Sequence, residues 1–434
     1  MSLASSSSLF LAARLVKLGM TLVISWLLAY GLGPEQRGAY FVLALLTSSF
    51  LFKVSNLGAS SANQVLVARD PTQAGTAAAV ALWGGIGVST LVVLLAVAAF
   101  PLWGPLYEFP VLDRRLGIML ATIPLGIAAS QFEGILMAQK RFLLVNAIHL
   151  GATAFLLGLL ATLLLGLGMG LDGAVAAAGL QAVLIFLLFA APFRKAAVRL
   201  PDRRYLRAQV SFGSKLEAVN FLAYLANQAS GFLLRPLGIT DAAIGNFGPA
   251  KGLAEQTWAV TDSATPVLLP GLSAMPKAEA RATTARACRV LVLLQVLAAL
   301  AAWAAACWLV PLVLPKYTQI ASTLVFLLPG TVLGVIPKIL SCYAVSVGKP
   351  LYGLAVTGAG LLVAASSAWL LIPGHGIHGA AAATALGYAA EAAVSVAIFR
   401  HLSGAGLLET LLVRREDLRI YGRRLGMALG VLKP

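Results

Sequence analysis

Charge is scarce in this 434-residue chain: 11% of its residues are Asp, Glu, Lys or Arg, against 59% hydrophobic. Soluble domains carry roughly 25% charged residues. A chain so depleted has too little polar surface to face water on every side, which excludes a string of soluble domains. Acids are rarer still, 16 against 32 Lys and Arg, leaving a formal net charge of +16. A nucleic-acid binder would carry that charge as patches on a soluble surface. Here Lys and Arg fall between apolar runs, as topology signals do, so nucleic acid is not an expected partner. Cysteine is nearly absent: Cys288, Cys307 and Cys342 are unevenly spaced and suggest neither a disulfide framework nor a metal site. No GxxxxGK[ST] segment occurs, so the chain lacks a loop for ATP hydrolysis. The longest expected external loop, around WGPLYEFPVLDRR, is too short for the catalytic loop of a polysaccharide polymerase or glycosyltransferase. These absences point to a transporter, not an enzyme, with no cofactor and no metal.

What is present is a succession of long apolar runs, with a mean hydropathy of +0.89. The expected helices cover 8–32, 38–60, 76–103, 116–138, 143–167, 172–193, 211–237, 243–270, 287–314, 320–346, 350–372 and 377–399. Each is near the ~20 residues that a bilayer requires. The seventh and eighth are more polar than a strict hydropathy window accepts. The first begins without a preceding positive charge and has Arg14 and Lys17 inside it, so it reads as a retained membrane helix and not a signal peptide. About 21 Lys and Arg fall on one side of the alternation, including Arg69, Lys140, Arg141, the run 194–207 and the run 277–289. Four fall on the other: Arg37, Arg114, Arg115 and Lys316. The basic side is the cytoplasmic one, so both termini are expected there.

The chain also repeats itself at an offset of about 205 residues, a period that points to duplicated halves. GMGLDGAVAAAG (168–179) matches GHGIHGAAAATA (374–385), and the helices that follow end in Phe193-Arg194-Lys195 and Phe399-Arg400-His401. Leu32-Gly33 matches Leu237-Gly238, and Pro124 matches Pro329. The expected fold is all-α and membrane-integral: about twelve transmembrane helices in two six-helix bundles related as parallel repeats. The expected domains are an N-terminal bundle (1–193), a basic cytoplasmic linker (194–210), a C-terminal bundle (211–400) and a basic tail (401–434). The tail mixes Leu, Ile and Tyr with Arg, as an interfacial amphipathic helix does. Two like-oriented bundles would enclose a cleft whose rocking gives alternating access.

Helix one with its embedded basic residues, followed by GLGPEQRGAYF (31–41), resembles the start of the polysaccharide flippases. These are the Wzx-type O-antigen and exopolysaccharide exporters of the multidrug, oligosaccharidyl-lipid and polysaccharide exporter superfamily. The AQKRF loop (138–142) and the six-plus-six architecture fit the same family. The resemblance implies a multidrug-exporter-like pair of bundles in the bacterial inner membrane. It implies a cargo of undecaprenyl-pyrophosphate-linked oligosaccharide, moved from the cytoplasmic to the periplasmic leaflet. It also implies membrane lipids, a polysaccharide polymerase and other export machinery as partners. The rivals are an organic-cation antiporter of the same superfamily and, less favoured, a polymerase. A peptidoglycan-precursor flippase would be expected to have fourteen helices.

Ionisable residues within spans are costly and so mark functional candidates. A pyrophosphate needs several cationic donors, and Arg offers a planar fork for two phosphate oxygens. The cationic candidates are Arg14, Lys17, Lys53, Arg235, Lys251 and Lys338. Arg14 and Lys17, three residues apart, share a helical face. The glycan-lining candidates are Asn56, Asn220, Tyr224, Asn227, Gln228 and Trp258, with the helix-seven members following one stripe. Glu133, Glu255 and Glu391 are the candidates for coupling to a proton or sodium gradient. Lys251 and Glu255 are also spaced as a self-neutralising i,i+4 pair, and Lys53 and Lys338 could snorkel to an interface. His375 and His378 sit in a Gly-rich turn and are read as turn residues. A reporter enzyme fused after Lys195 is expected to report cytoplasm and one fused after Gly170 periplasm; the reverse pattern would overturn the assigned orientation.

Overall fold

The computed structural model describes the backbone of residues 3–109, 111–197, 200–349 and 351–411, and every regular element among them is helical. In a bilayer core the backbone has no water to bond, so only helices or closed barrels satisfy its N–H and C=O groups. The chain divides into two compact units. Unit 1 holds Met1–Phe221 and Gly238–Gly245; unit 2 holds Leu222–Leu237 and Asn246–Pro434.

Unit 1 opens with α1 (Leu3–Ala44), which is broken at Gly33 (φ 67°, ψ 173°). Forty-two unbroken residues would extend about 63 Å, twice a hydrocarbon core. The break supplies the reversal expected of the Leu-Gly-Pro-Glu segment. The second span was expected as one helix over 38–60. Instead it runs through a π-helical turn (Leu45–Leu51) into α2 (Phe52–Asn56) and bends before α3 (Ala59–Arg69). Leu57 and Gly58 are both left-handed at the bend (φ 47° and 69°). The cause is a backbone crossing: a Cβ on Gly58 would lie 2.2 Å from the carbonyl oxygen of Gly213.

The third span is α4 (Ala74–Ala79), a π-helical turn and α5 (Gly85–Ala98), with α6 (Phe100–Trp103) after it. Then come α7 (Arg114–Ala138), α8 (Phe142–Leu160), α9 (Gly170–Ala190) and the short α10 (Arg194–Ala197). Asp113 caps α7 by accepting from the Leu116 N–H at 2.8 Å. A bidentate pair, Arg115 to Asp172 at 2.6 and 3.1 Å, ties the start of α7 to α9. The helix α11 (Arg203–Leu234) begins in this unit, eight residues before the expected start at 211. Asp202 sets that start, accepting from the Arg204 N–H at 2.8 Å.

Among the described residues of unit 1, one apolar core forms around Phe132, Phe189 and Phe193 and another around Leu28, Leu116, Ile123 and Leu160. Small residues let helices approach closely, as lipid-embedded packing favours. A Cβ on Gly134 would lie 2.4 Å from the Ser60 carbonyl oxygen, and the Ser60 hydroxyl donates to the Ser130 carbonyl at 2.8 Å.

Unit 2 takes the rest of α11, most of α12 (Asp241–Gln256), then α13 (Ala259–Ala274), α14 (Lys277–Val313), α15 (Ile320–Ser346), α16 (Tyr352–Ser403) and α17 (Leu407–Leu411). The eighth span, expected unbroken over 243–270, divides at Thr257 and Trp258. There the Trp258 indole N–H donates to the Thr331 carbonyl at 2.8 Å and anchors the break in the core. Fifty-two residues of α16 would extend about 78 Å if straight. They reverse at Gly376 (φ 57°, ψ −135°) into an antiparallel hairpin. The register is visible at its glycines: Gly379 lies against Leu371, Gly387 against Ala364 and Gly360 against Glu391. His378 at this turn meets the Ser322 hydroxyl at 3.0 Å.

Of the expected tail, α17 is held to α14 by Arg281–Glu409 at 2.7 Å; residues 412–434 lie outside the described residues. Among the described residues eight helical stretches pass a membrane-hydropathy window. Two of the eight, Gly19–Asn56 and Tyr352–Ser403, contain a reversal and so hold two spans each. The more polar α11 and α12–α13 supply the remaining two of the twelve. Leu94, Leu95, Leu362, Leu370 and Trp308 stand exposed on the surface, an apolar face suited to acyl chains.

The tightest approach in unit 1 is reciprocal: a Cβ on Gly38 would lie 1.8 Å from the Asp241 carbonyl oxygen, and one on Gly245 1.8 Å from that of Pro34. Gly38→Ala is expected to destabilise the purified protein by about 1–3 kcal/mol through overpacking. Gly252→Ala, where nothing lies within 4 Å, is expected to be neutral or stabilising. Equal melting temperatures for Gly38→Ala and the parent, in detergent, would overturn the close approach.

Candidate functional site

The polar side chains of unit 2 form one connected chain drawn from five helices, α11, α12, α13, α15 and α16, and the break before α13. Lys251, 5% exposed on α12, donates to the Asn227 carbonyl at 2.6 Å and to Gln228 Oε1 at 2.8 Å. Its fourth-residue neighbour Glu255 stands 3.8 Å away. Asn227 Nδ2 donates to the Tyr388 hydroxyl at 2.8 Å. Tyr388 packs edge-on against Trp258, ring centroids 5.3 Å apart. Lys338 lies over the Trp258 ring, 3.9 Å from its centroid, and pairs with Asp262 at 2.7 Å. One helical turn beyond Tyr388, Glu391 occupies the space left by Gly360, and Lys338 attracts its carboxylate. A cation over an indole is worth about 0.5–2 kcal/mol, more when desolvated. The arrangement offers amide, phenol, indole and ammonium groups in one chain that runs from the buried Lys251 to the exposed Asp262.

Unit 1 holds a second polar cluster. Asn63 Oδ1 accepts from the Tyr205 hydroxyl at 3.0 Å and from Gln209 Nε2 at 2.7 Å, and Gln209 also donates to Gln131 Oε1 at 3.1 Å. Lys53 pairs with Glu217 at 3.2 Å. The pair borders a cavity of about 230 Å³ that Leu57, Ser214 and Phe221 help to line. Glu133 meets His149 Nε2 at 3.0 Å, and the imidazole packs edge-on against Phe189.

The structure brings Lys251, Lys338, Asn227, Gln228, Trp258, Glu255 and Glu391 together, and it sets an acid beside each described lysine of the cationic set, as the i,i+4 spacing of Lys251 and Glu255 allows. Lys53, Lys251 and Lys338 each stand beside a carboxylate, because an ammonium in a low-dielectric interior needs a counter-charge. Arg235 lies half-buried just past the end of α11, not within the helix as expected, and its side chain is engaged. Tyr224 packs edge-on against Phe232, ring centroids 6.3 Å apart. Asn220 is exposed, so the helix-seven stripe is interior only over its later turns. Asn56 is half-buried, with its Oδ1 shielded from solvent and lacking a hydrogen-bond partner among the described residues. Arg14 and Lys17 lie on α1, and their side chains are outside the described residues. Sequence reasoning missed Tyr388, His149, Tyr205 and Gln209. His149 is the one histidine in the first half, a signal that could have paired it with Glu133.

Residues 27–321 match the model of a family described as polysaccharide biosynthesis protein. No curated protein matches the sequence. Among solved structures, the lipid II flippase MurJ in an inward closed conformation superposes with a TM-score of 0.71 at 13% identity, over 98% of this chain and 93% of that one. An inward-facing multidrug resistance MATE family transporter of the MOP superfamily gives 0.68 at 15%, over 90% and 98%. A MOP superfamily transporter from Pyrococcus furiosus, described as having a binding pocket of reverse polarity, gives 0.60 at 16%, over 91% and 94%. At these identities the likeness is one of fold.

Replacing Lys251 by Met would leave the Asn227 carbonyl and Gln228 amide without their donor, at an expected cost of about 1–3 kcal/mol. Adding Gln228→Leu should recover part of that loss, with a coupling of about 0.5–3 kcal/mol in a double-mutant cycle on detergent melting curves. Strict additivity would show that the two side chains do not interact.

Proposed function

The chain is a member of the polysaccharide biosynthesis protein family, which matches residues 27–321, and on that premise we propose that it is a flippase for lipid-linked oligosaccharide. Its cargo on this reading is an undecaprenyl-pyrophosphate-linked glycan. Alternating access carries it from the cytoplasmic to the periplasmic leaflet of a bacterial inner membrane, with no covalent chemistry on the cargo. The observation that carries the reading is the connected chain Lys251–Asn227–Tyr388–Trp258–Lys338, in which Lys251, Tyr388 and Trp258 are buried and Asn227 and Lys338 half-buried. Amides and aromatic faces suit sugar hydroxyls and ring C–H faces, and ammonium groups suit phosphate oxygens. That the MurJ structure is a lipid II flippase supports cargo of the same chemical class, a saccharide on a lipid pyrophosphate.

The ion pairs shape how such a cargo would bind. A phosphate approaching Lys251 or Lys338 competes with Glu255 or Asp262 for the ammonium. The ion pairs therefore weaken the hold of each ammonium on phosphate and leave room for release. Glu255 and Glu391 are the proposed coupling groups in unit 2. Glu133, already bonded to His149, is the corresponding group in unit 1. Arg235, Arg14 and Lys17 complete the proposed set of phosphate donors, while Asn56, Asn220 and Tyr224 complete the glycan lining. Partners on this reading are membrane lipids, the polysaccharide polymerase and its export machinery. The fold shared with the multidrug MATE transporter keeps an organic-cation antiporter as the second reading, with the same carboxylates then serving as cation ligands.

Lys338→Ala and Arg235→Ala are expected to reduce surface polysaccharide at least tenfold in a complementation assay while membrane insertion stays unchanged. Glu255→Gln is expected to retain transport in inverted vesicles but lose its response to an imposed proton gradient. Normal export by both Ala variants, together with raised sensitivity of the deletion strain to organic cations, would favour the antiporter.

A further inference from the structure

A second cavity, of about 350 Å³, opens in unit 1, lined by Gly75, Gln139, Arg141, Phe193, Arg194 and Lys195 among others and sharing no residue with the Lys53–Glu217 cavity. It is assembled from three separate stretches: the start of α4, the turn between α7 and α8, and the segment joining α9 to α10. Each stretch is fixed by its own local chemistry. Lys140 is left-handed (φ 59°), and the Arg141 and Lys140 N–H groups donate back to the Leu136 and Met137 carbonyls at 3.0 Å, closing α7 in a Schellman-type cap. The cap reverses the chain at Arg141. Phe193 is buried and stacks on Phe132, centroids 5.6 Å apart, which anchors the stretch bearing Arg194 and Lys195. Gly75 leaves the hollow open, since a Cβ there would touch only the Ala196 Cβ at 3.7 Å.

The charges in this hollow are of one sign. Arg141, Arg194 and Lys195 have no carboxylate within salt-bridge distance among the described residues, unlike Lys53, Lys251 and Lys338. Asp70, just before α4, has both oxygens occupied by Thr72 and Gln73. Three cations that share a concavity repel one another unless an anion sits among them. The two guanidiniums present planar forks suited to phosphate oxygens, and the Gln139 amide adds a neutral donor. The cavity lies at the C-terminal ends of α7 and α9, which the charge asymmetry assigns to the cytoplasmic side, where anionic headgroups attract basic residues. We propose that this cavity is a phosphate-binding site, occupied by the headgroup of an anionic phospholipid.

The test uses the full-length protein, extracted with native lipid and examined by native mass spectrometry, with phosphatidylglycerol and phosphatidylcholine as titrants. Wild type is expected to retain phosphatidylglycerol at least fivefold more than an Arg141→Gln, Arg194→Gln, Lys195→Gln triple variant. Gly75→Leu, which fills the hollow without changing charge, should lose retention equally. A charge-matched control, Arg203→Gln, Arg204→Gln, Lys277→Gln, should retain it. A parallel thermal-shift arm adds inorganic phosphate or pyrophosphate at constant ionic strength against chloride. Stabilisation of wild type but not of the triple variant there would show the same phosphate site filled from solution. Equal lipid retention by wild type, the triple variant and Gly75→Leu, with no phosphate-specific shift, would overturn the proposal.

Discussion

An ammonium or guanidinium inside a bilayer cannot borrow water, and leaving it unpaired costs several kcal/mol, so the protein must supply its partners. That constraint organises the interior of both units. Lys53 stands against Glu217, Lys338 against Asp262, and Lys251 against two carbonyl oxygens with Glu255 next in line. Neutral groups obey the same rule: Asn63, Tyr205, Gln209 and Gln131 close on one another. Lys53, Asn63, Gln131 and Lys338 sit on α2, α3, α7 and α15; the other side chains sit on the more polar α11, α12 and α13, which are not among the eight apolar stretches. Their polarity and their burial are two aspects of one fact. A helix of that composition stays in lipid only where its polar face is turned inward and bonded.

The architecture was legible in the sequence because it rests on composition and length, which are local. Long apolar runs, Leu-Gly-Pro at the first turn and Gly-rich GHGIHG at the last turn specified spans and reversals that α1 and α16 contain at Gly33 and Gly376. The breaks inside spans were not legible. The left-handed bend at Leu57–Gly58 exists because the Gly213 backbone crosses there, a contact separated by more than 150 residues. The interruption at Thr257–Trp258 likewise answers to Thr331.

The site was legible in part. Residue type alone identified Lys251, Lys338, Trp258, Asn227 and Gln228 as the polar residues of their helices, and the fold joins them. What residue type could not give was the sign of the local field. A lysine read alone is a cation; a lysine 2.7 Å from Asp262 is half of a dipole. Tyr388 escaped notice because an Ala-rich helix with one tyrosine looks like lipid-facing packing. Only the hairpin register of α16 turns it toward Asn227.

Paired lysines suit a carrier better than bare ones would. A transporter that moves an anionic lipid must bind it and then let it go, and a ligand shifts a conformational equilibrium only through its difference in affinity between states. Two or three naked ammonium groups in a dry interior would hold a pyrophosphate tightly in every state and release it slowly. A carboxylate beside each ammonium lowers that affinity and makes it depend on small changes in separation. Lys251 shows how such a dependence could be built: its strongest contacts are to Asn227 and Gln228 on α11, whereas Glu255 is on its own helix at 3.8 Å. Sliding α11 by one carbonyl relative to α12 would change the first two contacts and leave the third. The ammonium would then trade neutral oxygens for phosphate in one state and recover them in the other.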